Sequence, residues 1–420
     1  MIGERAKRFL VAHGMDPETI QPARDAVKIA EEMERGLAGT GGSMPMIPTY
    51  VSDEGEIPCG SPVAVIDAGG TNFRCALVRF EADGCHVEEL RKWKMPGIGT
   101  PTTWERFISF VADAVQPLLD RTDRIGFCFS YSADITPEMD GKVHRIDKEV
   151  VIRGCEGQMV GGSLLGELER RGVCGKKIVI LNDTVAVLLG GLADGKRGEG
   201  CMIGQVSGTG TNTCCSLPVK RIGKLGSDSE RHMIVNMESG MYDGIERGDL
   251  DRMLDEASKD PGKKHFEKLT AGVYLGELVR RILVSAADEG LLSAGSAEKA
   301  RALGWIDSAV IDAWSMGEDL DRVSDNAEDA AFVRDIATAM FERSARCMCT
   351  DLAGIMLLSG EEKGSVCAEG SLVQKGRVYR PMLEQLIREE IEGKLGRQIR
   401  FSVAYETTLA GSAVAALLNL

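Results

Sequence analysis

No two of the 12 cysteines are spaced Cys-x-x-Cys, and the five histidines form no His-Glu-x-x-His. The common zinc frameworks are therefore missing. Cys214 and Cys215 are adjacent, and Cys347 and Cys349 are one residue apart. These spacings suit reduced cysteines in a core rather than ligand pairs. No run of about 18 apolar residues is free of charge, so a membrane-spanning helix is not expected. The opening stretch MIGERAKRFLVAHG is charged within its first turns and reads as no signal peptide, which makes the cytoplasm the expected compartment. Positive charge is in deficit, with a formal net charge of −14. Nucleic-acid backbones and anionic membranes would be repelled, so neither is expected as a partner. There is also no Gly-x-x-x-x-Gly-Lys-[Ser/Thr] loop.

What is present is ordinary globular composition, 43% apolar and 27% charged, over 420 residues. One core rarely serves more than roughly 250–300 residues, so two domains are expected. Helical spacing over residues 17–37 predicts an amphipathic helix that packs on a larger body. Short apolar runs predict strands at Val63–Asp67, Phe73–Phe80, Ile125–Ser130, Lys177–Leu181, Met202–Gly204, Thr213–Val219, Gly364–Ala368 and Arg400–Ala404. Helices are predicted at Trp104–Leu119, Thr184–Leu192, Gly272–Glu289, Ala330–Leu358, Pro381–Leu395 and Leu409–Leu420. The alternation argues an α/β class.

One segment echoes another. Val65–Leu77 (VIDAGGTNFRCAL) and Gln205–Leu217 (QVSGTGTNTCCSL) share glycine, threonine, asparagine, cysteine and leucine at matched positions, 140 residues apart. Each reads as strand, glycine turn, strand. The first turn, Asp67-Ala68-Gly69-Gly70-Thr71-Asn72-Phe73-Arg74, suits two roles. Its glycines can bring backbone N–H groups onto a phosphate, with Thr71 and Arg74 as donors and Asp67 toward Mg²⁺. The same residues also make a plain hairpin turn. The second turn, Ser207-Gly208-Thr209-Gly210-Thr211-Asn212, leaves the same choice open. It lacks the third glycine of a dinucleotide fingerprint.

Asn182-Asp183 follows a predicted strand and opens a predicted helix. Asp183 suits an N-cap. It equally suits a general base whose charge the helix N-terminus favours. Glu238, Glu267 and Lys148 lie in mixed-charge stretches, where a solvated surface place is the plainer assignment.

At these residues the chain resembles the hexokinase family, from about residue 17 onward. Met46–Val51 is similar to the family's MLPTYV and Asp67–Arg74 to its DLGGTNFR. Phe129-Ser130-Tyr131 is similar to the start of FSYP, Leu181–Val185 to INDTV, and Gly208–Asn212 to GTGxN. Asn236–Gly240 resembles NxEWG, Pro261–Leu278 resembles PGxxxFEKMxSGxYLGEL, and Glu369-Gly370-Ser371 resembles DGS. The resemblance implies a two-domain actin-like ATPase (ribonuclease H-like) fold with a cleft between the domains. Residues 58–183 with 405–420 would form the small domain, and 1–57 with 184–404 the large one. It implies transfer of the γ-phosphoryl group of Mg·ATP to the 6-hydroxyl of a hexose, with glucose the first expectation. Asp183 would be the general base, and Lys148 would steady charge on the transferring group. Ser130, Asn182, Asn212, Glu238 and Glu267 would hold sugar hydroxyls. Gly69, Gly70, Thr71, Asn72, Arg74, Gly208, Thr209 and Gly210 would cradle phosphates, Gly370 and Ser371 would meet the nucleoside, and Asp67 would stand near Mg²⁺.

The departures bear on specificity. Ile146-Asp147-Lys148-Glu149 stands where the family has WTKG, so Asp147 replaces a sugar-contacting threonine. It either alters hexose choice, admitting an amino sugar, or lies on a surface loop and does little. Two other functions stay open: a catalytically idle hexose sensor, and a kinase of the same fold with another acceptor.

Overall fold

The structure, a computed structural model, describes residues 2–146, 150–193 and 198–420. Asp147 and Lys148 lie outside the described residues. Two sheets organise the chain. The first runs, edge to edge, Lys177–Leu181, Arg124–Phe129, Val63–Ala68, Asn72–Glu81, Gly84–Lys94. The second runs Gln398–Val403, Lys363–Glu369, Cys201–Ser207, Thr211–Pro218, His232–Asn236, with the short Ile47–Pro48 strand at its edge.

The topologies coincide. In each sheet a glycine hairpin pairs antiparallel, a third strand extends it antiparallel, and two later strands join parallel on the other side. The sequence echo at 65 and 205 is thus the same hairpin, central in each sheet. Val63–Ala68 is buried at all positions, as expected of a strand covered on both faces. Gly84–Lys94 went unpredicted because it is a charged, largely exposed edge strand, CHVEELRKWK, with no apolar alternation to read.

Helices Asp183–Ala193 and Thr407–Asn419 lie against each other in a core shared by the two sheets. Val63, Val65, Val179 and Leu181 line it from the first sheet, and Met202, Cys214 and Ile234 from the second. Both helices are apolar around most of their circumference, as helices buried on all sides must be. The long helix Ala327–Ser359 anchors a second core, where Ala26, Ile29, Met33 and Leu37 of helix Pro22–Ala38 pack on it. That helix starts later than its spacing suggested because Pro22 sits in its first turn and Pro17–Thr19 forms a separate 3₁₀ turn. The predicted helix over 381–395 is interrupted by a π-helical stretch at Ile387–Glu392. No helix among the described residues is long and apolar enough to cross a membrane.

Candidate active site

The first turn is closed by the Gly69 N–H donating to Asn72 O (3.1 Å). The Tyr131 hydroxyl donates to Gly69 O (2.8 Å), and Met95 N–H donates to Thr71 O (2.9 Å). Thr71 and Asn72 are exposed at its tip. Behind it, Arg74 Nε and Nη2 lie 2.8 and 2.6 Å from Asp67 Oδ2. Arg74 Nη2 also donates to Thr408 Oγ1 (2.7 Å) on the C-terminal helix. Burial pushes the Asp67 carboxyl up and Arg74 pulls it down. The guanidinium expected to reach phosphate is thus already committed to Asp67 and Thr408, on the side of the turn facing the core.

This pair makes the first prediction. Arg74→Met leaves the buried Asp67 uncompensated, so urea unfolding should show a loss of about 2–4 kcal/mol. Asp67→Asn in the same chain should restore part of it. Equal stability of wild type and Arg74→Met would show that the pair contributes nothing.

The second turn has the Gly208 N–H on Gly210 O (3.0 Å) and Gly208 O accepting from Gly272 N–H (2.8 Å). It is closely packed at two places, and at the second, Gly370, only glycine fits. A Cβ on Gly210 would stand 2.9 Å from Glu267 Oε1, and one on Gly370 (φ 121°) would stand 2.3 Å from Ser207 O. Gly370 and Ser371 therefore abut the turn, as the resemblance implied. Glu369, just before them, accepts from Thr407 N–H (3.2 Å) and Thr407 Oγ1.

Asn182 and Asp183 stand at the end of strand Lys177–Leu181. The Thr184 N–H is shared between Asn182 Oδ1 (2.9 Å) and Asp183 Oδ1 (2.8 Å). The cap is thus divided, and Asp183 is the first helical residue rather than the residue before the helix. Its carboxylate is felt on every side. Burial raises Asp67, Glu238 and Glu369, and Asp183 adds to each. It also helps to hold the buried Cys128 thiol neutral. Ser130 follows strand Arg124–Phe129, its N–H on Ala68 O (3.3 Å) and its hydroxyl 3.7 Å from Cys128 Sγ.

A hydrogen-bonded chain of amides ends at Glu238, whose carboxyl feels Asp183. Asn212 Nδ2 donates to Asn236 Oδ1, and Asn236 Nδ2 to Glu238 Oε1, each at 2.8 Å. Glu238 (φ 55°) and Lys264 (φ 53°) both hold left-handed backbone. That costs about 1 kcal/mol or more apiece. Lys264 Nζ lies 3.4 Å from Glu267 Oε2 and also lowers Glu238, which burial, Asp183 and Glu267 raise. The structure thus brings together Asp67, Asp183, Asn212, Glu238, Glu267 and both glycine turns. Asn236 and Lys264 join them unpredicted. Asn236 is the first residue of the NxEWG-like segment, where no role was assigned to it, and Lys264 falls at an unspecified position of the Pro261–Leu278 segment.

A separate cavity of about 290 Å³, lined by Leu303, Ile306, Val310, Trp314 and others, shares no residue with this cluster. The convergent polar groups, not that apolar hollow, mark the site. Among the described residues, no three His, Cys, Asp or Glu side chains are grouped to hold a metal ion.

Two sheets of one topology, each centred on a glycine hairpin, with carboxylates gathered near both, define a two-domain α/β protein of the actin-like ATPase fold. A hexokinase of Schistosoma mansoni solved with glucose superposes with a TM-score of 0.77 at 21% identity, over 99% of this chain and 98% of that one. Another hexokinase crystal structure gives 0.82 at 20% identity, over 99% and 98%. The two family models that match are both described as hexokinase, over residues 5–192 and 202–418. Hexokinase-1 of Saccharomyces cerevisiae is 30% identical over 397 residues, 86% of this chain and 80% of that protein. Hexokinase-1 of Schizosaccharomyces pombe is 26% identical over 93% of this chain and 86% of its own. The chain belongs to the hexokinase family, and is an ATP-dependent hexose kinase.

Proposed function

We propose that this kinase acts on glucose first among hexoses, in the cytoplasm, with Mg·ATP as donor, and that Asp183 is its general base. The observation that carries this is the position of Asp183. It opens helix Asp183–Ala193, and its charge reaches Glu238, the end of the Asn212–Asn236–Glu238 chain. A hexose hydroxyl there would lose its proton to Asp183 as the phosphoryl group arrives. Asn182, Asn212, Glu238, Glu267 and Ser130 would hold the remaining hydroxyls, because carboxylates and amides together offer strong acceptors and matched donors. The glycine turns would hold the phosphates, with Gly370 and Ser371 at the nucleoside. Lys148 would meet the transferring group.

Magnesium would arrive with the nucleotide, held chiefly by phosphate oxygens and water. Asp67 fits that role as a distant acceptor. Both Arg74 contacts fall on Oδ2, while Oδ1 faces Gly69, 4.0 Å from where a Cβ would stand. Residues 58–183 with 405–420, and 1–57 with 184–404, would be the lobes that close on the sugar.

The test is ADP release with Mg·ATP against glucose, mannose, fructose, glucosamine and N-acetylglucosamine. Release that depends on glucose is expected. Glucose binding without release would favour the idle sensor.

Lys264 supplies a second prediction. Its ammonium sits among the carboxylates proposed to hold sugar, so an ammonium on the sugar would meet a like charge. Lys264→Gln should raise the ratio of glucosamine to glucose kcat/KM by about tenfold. An unchanged ratio would remove Lys264 from specificity and return attention to Asp147.

A further inference from the structure

Asp351 is a carboxyl without exposure in the middle of the long helix Ala327–Ser359. Its Oδ2 accepts from Thr213 Oγ1 at 2.8 Å. Its Oδ1 and the equally buried Ser239 Oγ make no well-formed hydrogen bond to any other group, and the Ser239 hydroxyl is felt by this carboxyl. A proton on Oδ1 would satisfy both atoms at once. No ion pair reaches Asp351 among the described residues.

The charges on the elements packed around this helix are committed elsewhere. Asp25 pairs with Arg24, Glu32 with Arg35, Asp251 with Arg343, Asp255 with Lys268, Glu267 with Lys264, Glu277 with Arg280, and Asp312 with Arg377. The titratable groups that feel Asp351 are Cys215 and Tyr242, both held neutral by burial.

The two residues whose hydroxyls face Asp351 also face the site. The backbone N–H groups of Thr213 (2.8 Å) and Ser239 (3.3 Å) both donate to Asn212 Oδ1. Asn212 in turn fixes Asn236, and Asn236 fixes Glu238. Asp351 therefore stands one residue behind the amides and carboxylate proposed to hold sugar, joined to them through Thr213 and Ser239.

We propose that Asp351 is a positioning residue which holds Thr213 and Ser239 and through them the orientation of Asn212 and Glu238 toward the sugar, and whose ionisation places an uncompensated buried charge behind that set. The proposal rests on the sugar-binding role of Asn212 and Glu238. Burial, opposed by the Thr213 and Ser239 hydroxyls, pushes this carboxyl up to about 7. The folded protein thus binds the proton more tightly than the unfolded chain, so stability falls as pH rises from the ordinary carboxylate range to about 7, and is level beyond. Sugar affinity should weaken across the upper part of the same window, because an uncompensated buried charge forms behind the site.

Glucose dissociation constants, measured by calorimetry between pH 5.5 and 8.5 on the full chain and on Asp351→Asn, test this. Wild type should weaken by about threefold or more on crossing neutrality, while Asp351→Asn should stay level within about twofold. The KM for glucose should follow the affinity, with kcat changing less. Glu238 is also raised, but it is present in both proteins, so its effect persists in the variant. If Asp351→Asn fails to fold, Asp351→Ser takes its place, and Thr213→Val should weaken glucose at pH 6 by a similar factor. The same pH dependence in the Asp351 variant, or a level wild-type profile, would overturn the role of Asp351 alone. No glucose binding at any pH would overturn the sugar site as well.

Discussion

Asp183→Ala should lower kcat for hexose phosphorylation by about a thousandfold, within the range a positioned general base supplies. Hexose affinity falls only a few-fold, because Asn212, Glu238 and Glu267 remain. The sharper variant is Asp183→Asn. An asparagine keeps the Oδ1 that accepts the Thr184 N–H at 2.8 Å, so the start of the helix is preserved. It cannot take a proton from the sugar. If Asp183 acted only by capping the helix, Asp183→Asn would keep nearly full activity and wild-type stability. Loss of activity at unchanged thermal stability, measured by coupled ADP release and calorimetry, is the expected result.

That test separates two readings of one residue which the sequence left side by side. Much of the frame was legible because it depends on local chemistry. A glycine turn between two short apolar runs has few alternatives, and both such turns sit where the echo at 65 and 205 placed them. Strand Lys177–Leu181 and the helix after it were legible for the same reason. What stayed hidden depends on long-range packing. Asn236 enters the site only because its strand pairs with Thr211–Pro218, which places it against Cys214, two residues from Asn212. Lys264 matters because its ammonium lies beside Glu267 and Glu238, a pairing set by the fold that no local pattern around a lysine announces. Asp351 lies 138 residues from Thr213 and looks like any acid on a helix until its burial is seen. Arg74 was legible as a cation near a phosphate turn. Its commitment to Asp67 and Thr408 required the C-terminal helix to fold back beside the first sheet.

Gly411→Leu unfolds the site from behind. Gly411 lies on helix Thr407–Asn419 where it crosses helix Asp183–Ala193, and a Cβ there would stand 1.9 Å from Ala186 O. The contact is reciprocal, since a Cβ on Gly190 would stand 2.5 Å from Thr407 Cβ. The neighbour at Gly411 is backbone, so no side chain can turn aside to make room. The helices must separate or the substitution is not accommodated. Overpacking of a close core typically costs about 1–3 kcal/mol, and backbone contact places this case at or above the upper end. One helix begins with Asp183 and the other carries Thr408, the partner of Arg74. Separation therefore moves the proposed base and loosens the first glycine turn together. Gly411→Leu should lower the melting temperature by several degrees and lower kcat/KM for both ATP and hexose in the fraction that stays folded. Gly166→Leu is the control. A Cβ on that glycine would meet nothing within 4 Å, so the substitution should shift melting far less. If the two variants melt alike, the close crossing of these helices does not hold the two turns in place.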